Sequence, residues 1–510
     1  MNDRVHLFRR LHPVALGMIA LTGVILHLLV LKGYGFFRDE FYFIACSNHL
    51  AFGYVDQPPL SPVMLAGMRL LLGDSFLAVR LLPILTGAAV ILTAGVIARE
   101  LGGELFAQVL AGLAVLVAPG FLFAFHFYSM NSLDILLWSL AALVVIQIIK
   151  KRDERLWLLF GLIAGIGLMN KISMLFLGFG LFVGLILTRQ RKYLWSGWFW
   201  AGGAIAGVIF IPHIAWQMHH GWPTLEFMAN AQKFKMLALS PTAFIGQLVL
   251  EVNPFTLPVW LAGLYYFFLG REDRHFRLFG WAFLTILVIF LAQSAKPYYF
   301  TPIFPLLFAA GAVQLDRAFA RVQLLKPALI LLLLVGGCIT APLALPILKP
   351  ETLIRYSRFL GIKPSSGEKH EIGALPQHFA DMFGWEEMVS AVSQVYHSLP
   401  DSEQRQCAIF GRNYGEAGAV DYLGNSHGLP DAISGHNNYW LWGVDGYTGN
   451  VMIVIGGDKA GLMRYFESIT PAGLVSNPYS MPYENNLTIW VGRGYKQPLK
   501  DVWPKLKSFN

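Results

Sequence analysis

A handful of ionisable residues in this chain are set among aromatic and apolar neighbours, where ordinary solvated charges are not found. Asp39 and Glu40 stand in YGFFRDEFYF, flanked by Phe36, Phe37, Phe41, Tyr42 and Phe43. Asp56 precedes Gln57-Pro58-Pro59, Asp134 closes PGFLFAFHFYSMNSLD, and Lys296 opens KPYYFTPIFP. A carboxylate lined by aromatic rings can take the proton of a hydroxyl nucleophile. A lysine ammonium is a compact cation that suits a phosphate, and cationic support of a departing phosphate favours group transfer.

Each residue also has a plainer reading. Asp39-Glu40 can be a solvated pair, although five flanking aromatics argue for burial near an interface. Asp56 before two prolines fits turn chemistry. Asp134 falls in the first turn of a helix, where a carboxylate favours the macrodipole. Lys296 can snorkel towards headgroups, and Lys171 reads as structural. His213, His219 and His220 lack partners at metal-ligand spacing and read as interfacial. GRNYGEAGA after QCAIFG has neither dinucleotide-loop spacing nor a P-loop Lys-Ser/Thr, so it reads as a strand-to-helix turn.

The elements that must position these residues are membrane spans. Of 510 residues, 55% are hydrophobic and 14% charged, against about 25% charged in a soluble domain. A mean hydropathy of +0.52 over this length needs an apolar solvent. That excludes a disordered chain and argues against a soluble multidomain protein. Basic MNDRVHLFRR leads into the apolar run 12–31, with no small-residue cleavage site, which predicts a signal anchor. Further spans are expected at 77–98, 105–120, 132–149, 156–169, 172–187, 194–214, 243–269, 278–293, 297–315 and 327–346, about eleven in all. Alternating them from a cytoplasmic N-terminus puts Arg4, Arg9, Arg10, Lys150, Lys151, Arg152, Arg189, Arg191, Lys192, Arg271, Arg274 and Arg277 inside. The outer loops then hold scattered cations and the acidic residues above, as the positive-inside rule favours. The net charge of +8 follows from those loops and implies no nucleic-acid partner. Ionisable groups gathered at the outer membrane face are read as functional.

Beyond about 350 the composition changes. KPSSGEKHEIGALP reads as a linker and FGWEEMVSAVSQVYHSL as an amphipathic helix. QCAIFG, VMIVIG and LTIWVG are short buried strands, with DKAGLMRYFESI expected as a helix between the last two. The expected organisation is a transmembrane domain over 1–349 and a small soluble α/β domain over 350–510. Cys46, Cys338 and Cys407 give no disulfide framework.

RDEFYFIACSNHLAFGYVDQPPL, followed by many spans and KPYYFTPIFP, resembles the bacterial branch of glycosyltransferase family 39. This is the superfamily of protein O-mannosyltransferases and aminoarabinose transferases, with the GT-C fold. The resemblance covers roughly 1–350 and its first-loop motif is the specific part. It implies an inverting transferase in the inner membrane, drawing on a polyprenyl-phosphate sugar at the periplasmic side. It places the catalytic acid at Asp39, with Glu40 adjacent, and a second acidic site at Asp134 and Asp56. Lys296, Arg38 and Gln57 are the expected donor-phosphate contacts. Aminoarabinose transferases carry a lysine where this chain has Gln57, which shifts weight to Lys296. Some members bind a divalent cation, for which Asp39 and Asp56 are the candidates, although two carboxylates specify no metal. The acceptor can be lipid A, another glycolipid or protein hydroxyls.

Two other classes compete. A transporter or lipid flippase predicts paired broken helices and acids at mid-span, whereas Asp39, Asp56 and Lys296 fall at span ends. A non-catalytic envelope protein would not need the carboxylates. Tyr439, Trp440 and Trp442 fit either a sugar-stacking platform or a domain core.

Overall fold

The computed structural model describes residues 10–270, 274–444 and 446–510. Arg4, Arg9 and Arg271, expected among the cytoplasmic cations, lie outside the described residues. The chain forms two compact units. One takes the chain up to Leu31, then Asp74–Ala215 and Ala238–Ile347; the other takes Lys32–Gly73, Trp216–Leu237 and Leu348–Asn510.

The first unit is helical. Among the described residues, six helices are long and apolar enough to cross a membrane, or up to eight if each of two bent pairs is one span. The six are Phe76–Glu100, Met130–Lys151, Gly197–His219, Arg274–Ala292, Pro297–Ala318 and Leu325–Leu343, each on an expected run. Pro13–Leu29, Leu105–Leu116 and Leu156–Asn170 are shorter apolar helices. The run 243–269, expected as one span, is broken: Pro241–Glu251 and Pro254–Leu269 meet at 93°. The break falls at Asn253-Pro254, where Asn253 adopts φ +73°, a left-handed conformation no helix interior accepts. Small residues let backbones touch, as lipid-embedded helices require. A β-carbon on Gly311 would lie 1.7 Å from the Val259 carbonyl oxygen, and one on Gly263 would lie 2.3 Å from that of Leu307.

The second unit is mixed. Strands β1 (Cys407–Phe410), β2 (Ala432–Ile433), β3 (Val451–Ile455), β4 (Phe466–Val475) and β5 (Leu487–Tyr495) form one sheet in the order β2-β1-β3-β5-β4. The β2-β1-β3 pairs are parallel, and β5 runs antiparallel to both β3 and β4. The three expected strands are present, as is the Trp385–Ser398 helix. The expected helix in DKAGLMRYFESI is confined to Lys459–Leu462, and the chain then enters β4. The linker-like stretch is pinned within this unit. Lys369 N–H donates to the Lys235 carbonyl at 2.9 Å, Met236 bridges Glu368, and the Glu368 side chain is buried.

Residues 32–73, expected as an outer loop, contain two helices, Arg38–Asn48 and Leu60–Leu72. The first packs on the Tyr414–Leu423 helix through two glycines. A β-carbon on Gly415 would meet Arg38 Cγ at 2.5 Å, and one on Gly418 would meet Phe41 Cβ at 2.9 Å. The glycines of GRNYGEAGA thus serve close helix approach, and Asn413 caps the helix by accepting from Gly415 and Glu416 N–H.

Candidate active site

Asp39 sits in the first turn of the Arg38–Asn48 helix, where the macrodipole favours a carboxylate, and its side chain keeps 36% exposure. Tyr414 O–H donates to Asp39 Oδ1 at 2.8 Å, and Arg38 Nε lies 3.7 Å from the same oxygen. Asp56 lies on the turn after this helix, where Tyr54 N–H donates to the Gln57 carbonyl. Tyr42 O–H donates to Asp56 Oδ1 at 2.9 Å. Asn438 holds that turn: its Oδ1 accepts from Val55 N–H at 2.7 Å, and its own N–H donates to the Tyr42 oxygen at 3.4 Å. The Tyr42 and Tyr414 rings stack at 4.7 Å. Two carboxylates are therefore each held by a tyrosine, and the tyrosines hold each other. Asp39 keeps access to solvent, which a group that must reach a substrate hydroxyl requires.

The neighbouring expectations come out differently. Glu40, grouped with Asp39 as catalytic, is fully buried, and its Oε2 accepts from Phe37 N–H at 2.9 Å. It is a helix cap, the reciprocal half of a capping box. Arg38, expected at the donor phosphate, is turned inward with 11% of its side chain exposed. It donates to Tyr483 O–H, lies 3.8 Å from Asp381 Oδ1, and stacks over Tyr414. Gln57 is also buried, with Nε2 4.0 Å from Cys46 Sγ, so it presents no phosphate contact at the surface. The cation that sequence reasoning passed over is Lys235. It pairs with Glu368 at 3.6 Å and lowers the carboxyl pKa of Asp56 through its charge. Its local sequence, NAQKFKML, carries no signal that would single it out.

Burial raises several carboxyls of this unit. Loss of water pushes Asp56 up to about 6, against the Tyr42 hydrogen bond. It pushes Asp381 to about 6 despite Arg38, and Asp421 to about 7. Glu484, buried beside Glu416, is raised to about 7. Such acids bind more protons folded than unfolded, so their stabilising contribution is full below about pH 4 and is lost as pH rises through 6–7. His436 works in the opposite sense: burial lowers it to about 3, so its contribution grows up to about pH 6.5 and then levels off. Between pH 6.5 and 8 the falling contribution of the acids near 7, Asp421 and Glu484, outweighs the residual gain from His436. The thermal midpoint of the purified protein should therefore fall over that interval, and Asp421→Asn should flatten the slope. A midpoint that rises from pH 6.5 to 8 would contradict the assignment.

In the first unit, Asp134 is buried near the start of the Met130–Lys151 helix. Ser173 Oγ donates to its Oδ1 at 2.5 Å, and Lys171 Nζ lies 3.5 Å from Oδ2. Lys171 also donates to Asn131 Oδ1 at 2.7 Å and faces the Tyr299 ring at 4.9 Å. Lys171, read as structural, is thus the ion partner of the second acid. Lys296 is the residue preceding the Pro297–Ile303 turn. In the second unit, Trp440 and Trp503 exchange indole hydrogen bonds at 3.0 Å. Trp442 stacks on His49, and Tyr439 donates to Asp421. Tyr439 is buried, whereas Trp440 and Trp442 are half-buried, so these contacts are those of a core and leave part of each indole open.

Residues 56–216 match the family described as dolichyl-phosphate-mannose-protein mannosyltransferase. The matched stretch includes Asp56, Asp134 and Lys171. Among curated proteins none matches the sequence. The structure of ArnT from Cupriavidus metallidurans bound to undecaprenyl phosphate aligns over 94% of this chain and 97% of its own, with TM-score 0.60 and 14% identity. Its apo form aligns over the same shares with TM-score 0.60 and 15% identity. The chain has the GT-C fold. Arabinofuranosyltransferase AftD from Mycobacteria shares it at TM-score 0.53 and 14% identity, over 96% of this chain and 41% of its own. A GT-C fold with these helices is a multi-pass membrane protein.

The metal expectation meets the donor set. Asp39 and Asp56 each already accept a tyrosine hydroxyl. No group of three or more His, Cys, Asp or Glu side chains among the described residues could hold a metal. Two carboxylates specify no metal by themselves, since Mg²⁺ is held by one or two carboxylates together with water and substrate phosphates. No step is assigned to a cation.

Proposed function

We propose that this chain is a glycosyltransferase that moves a sugar from a polyprenyl-phosphate donor to a hydroxyl or phosphate of an envelope acceptor. The observation that carries the reading is a solvent-accessible carboxylate, Asp39, held by Tyr414 in a GT-C fold. Asp39 takes the proton of the acceptor hydroxyl as its oxygen attacks the anomeric carbon. The bond to the lipid phosphate breaks on the opposite face, giving inversion and a free polyprenyl phosphate. Lys296 is the proposed support for that phosphate, with Asp56 and Asp134 as the second acids. The ArnT neighbour was solved with undecaprenyl phosphate, which supports a polyprenyl-phosphate donor here. Acceptor and sugar are left as classes: lipid A, another glycolipid or protein, and a hexose or pentose.

The test is release of polyprenyl phosphate from a polyprenyl-phosphate sugar by purified protein with an envelope lipid extract, read by mass spectrometry. Sugar-dependent release with a new glycosylated product supports the reading. Movement of lipid between leaflets without release would replace it with the flippase reading.

We also place the protein in the bacterial inner membrane with its N-terminus cytoplasmic and residues 350–510 periplasmic. A reporter active only outside the cytoplasm should be active when fused after residue 360 and silent after residue 155. An inactive fusion after 360 would overturn the orientation.

A further inference from the structure

The second unit extends the Tyr42–Tyr414 stack into a column of rings that ends on His436. Tyr42 stacks on Tyr414 at 4.7 Å, and Tyr414 stacks on His436, also at 4.7 Å. His436 is fixed at both nitrogens. Its Nε2 lies 3.0 Å from the Asn510 carbonyl oxygen, which can only accept, so Nε2 carries the proton. Nδ1 is then the acceptor, and it takes the Tyr414 backbone N–H at 3.2 Å. Burial keeps the ring neutral, which agrees with that single tautomer.

The residue after it is strained. Asn437 adopts φ +47°, ψ −130°, a combination that L-residues rarely hold. Its side chain is fully buried with neither amide atom hydrogen-bonded, and its backbone N–H donates to the Ser508 carbonyl at 2.9 Å. Strain and an unsatisfied amide are retained only where neighbours over-determine a conformation. Those neighbours are His436, which holds Tyr414, and Asn438, which holds the Asp56 turn.

We infer that Tyr414, braced by His436, is a positioning residue for Asp39, and that Asn438, acting through Tyr42, does the same for Asp56. The chain beyond residue 400 thereby completes the carboxylate site. This rests on the proposed catalytic role of Asp39. Tyr414 acts through that carboxylate and touches no reacting atom. A general base works only when its oxygen is aimed, and one hydrogen bond at 2.8 Å from a ring clamped on both faces restricts that aim.

The test is Tyr414→Phe in the full-length protein, assayed for sugar transfer. The stack survives and only the hydroxyl is lost. We expect kcat to fall by about 10-fold, with the KM for the donor unchanged and the thermal midpoint close to that of the parent. Tyr439→Phe is the control: it removes a comparable tyrosine–aspartate bond in the same unit, to Asp421, and should leave kcat unchanged. In an Asp39→Asn background, Tyr414→Phe should produce no further loss, because its effect passes through Asp39. Parental kcat in Tyr414→Phe, alongside an inactive Asp39→Asn, would overturn the positioning role and leave the catalytic assignment intact. An active Asp39→Asn would instead remove the reading on which the inference rests. Equal losses of kcat in Tyr414→Phe and Tyr439→Phe would reduce Tyr414 to packing.

Discussion

Asp39→Asn should reach the membrane and melt like the parent protein, yet transfer at least ~10²-fold less sugar. The asparagine oxygen can still accept the Tyr414 hydroxyl, and Arg38 still has Asp381 at 3.8 Å, so no buried charge is stranded. What the amide cannot do is take a proton. General-base contributions are typically ~10²–10⁴-fold, about 3–5 kcal/mol of transition-state stabilisation. Glu40→Gln separates the adjacent acids. Its amide oxygen can accept Phe37 N–H as the carboxylate does, so both transfer and stability should stay near the parent. Lys296→Ala should weaken donor use, because a phosphate contact acts on both the bound donor and the leaving group. Near-normal glycan product from cells carrying only Asp39→Asn would sink the catalytic assignment.

Gly418→Val should cost both stability and turnover. A β-carbon added at Gly418 would lie 2.9 Å from Phe41 Cβ and 3.0 Å from the Phe41 carbonyl carbon and oxygen. Backbone cannot swing aside as a flexible side chain does, so the two helices must separate. Overpacking of this kind costs about 1–3 kcal/mol. The larger effect is on chemistry. The displaced helix carries Tyr414 at its first residue, and a shift near 1 Å at a positioning group can cost ~10²-fold in rate. Thermal melting and transfer assays on one preparation check both effects. A variant that melts early but turns over at the parental rate would show that the helix contact is packing alone.

The sequence announced its membrane helices because each is a long apolar run, and all six of the clear spans fall on such runs. It also announced the three inner strands, whose unbroken apolar character follows from burial on both faces. Strand β4 was hidden for the opposite reason. FESITPAGLV is mostly exposed, carries Pro471 and Gly473, and shifts register between them, so no alternation marks it. The Leu60–Leu72 helix was too short to read as a span. Within the site, Asp39 and Asp56 were visible because acids among aromatics are unusual. Glu40 carried the same signal and had another job, since a capping carboxylate three residues after Phe37 looks no different in sequence from a catalytic one. Tyr414, Asn438 and Lys235 were out of reach. Each lies far along the chain from the acid it serves, and only folding brings them together.

The second unit is assembled from three stretches of chain, Lys32–Gly73, Trp216–Leu237 and Leu348–Asn510. Synthesis delivers them in that order. At ~5–20 residues per second, the Arg38–Asn48 helix emerges on the order of tens of seconds before the helix that covers it. During that interval Phe36, Phe41 and Phe43, all buried in the finished protein, have no partner from the last stretch. Apolar surface left open in this way makes a partly made chain prone to aggregate. A chain that stops before residue 400 lacks Tyr414, so the hydroxyl that Asp39 accepts in the finished protein is never supplied.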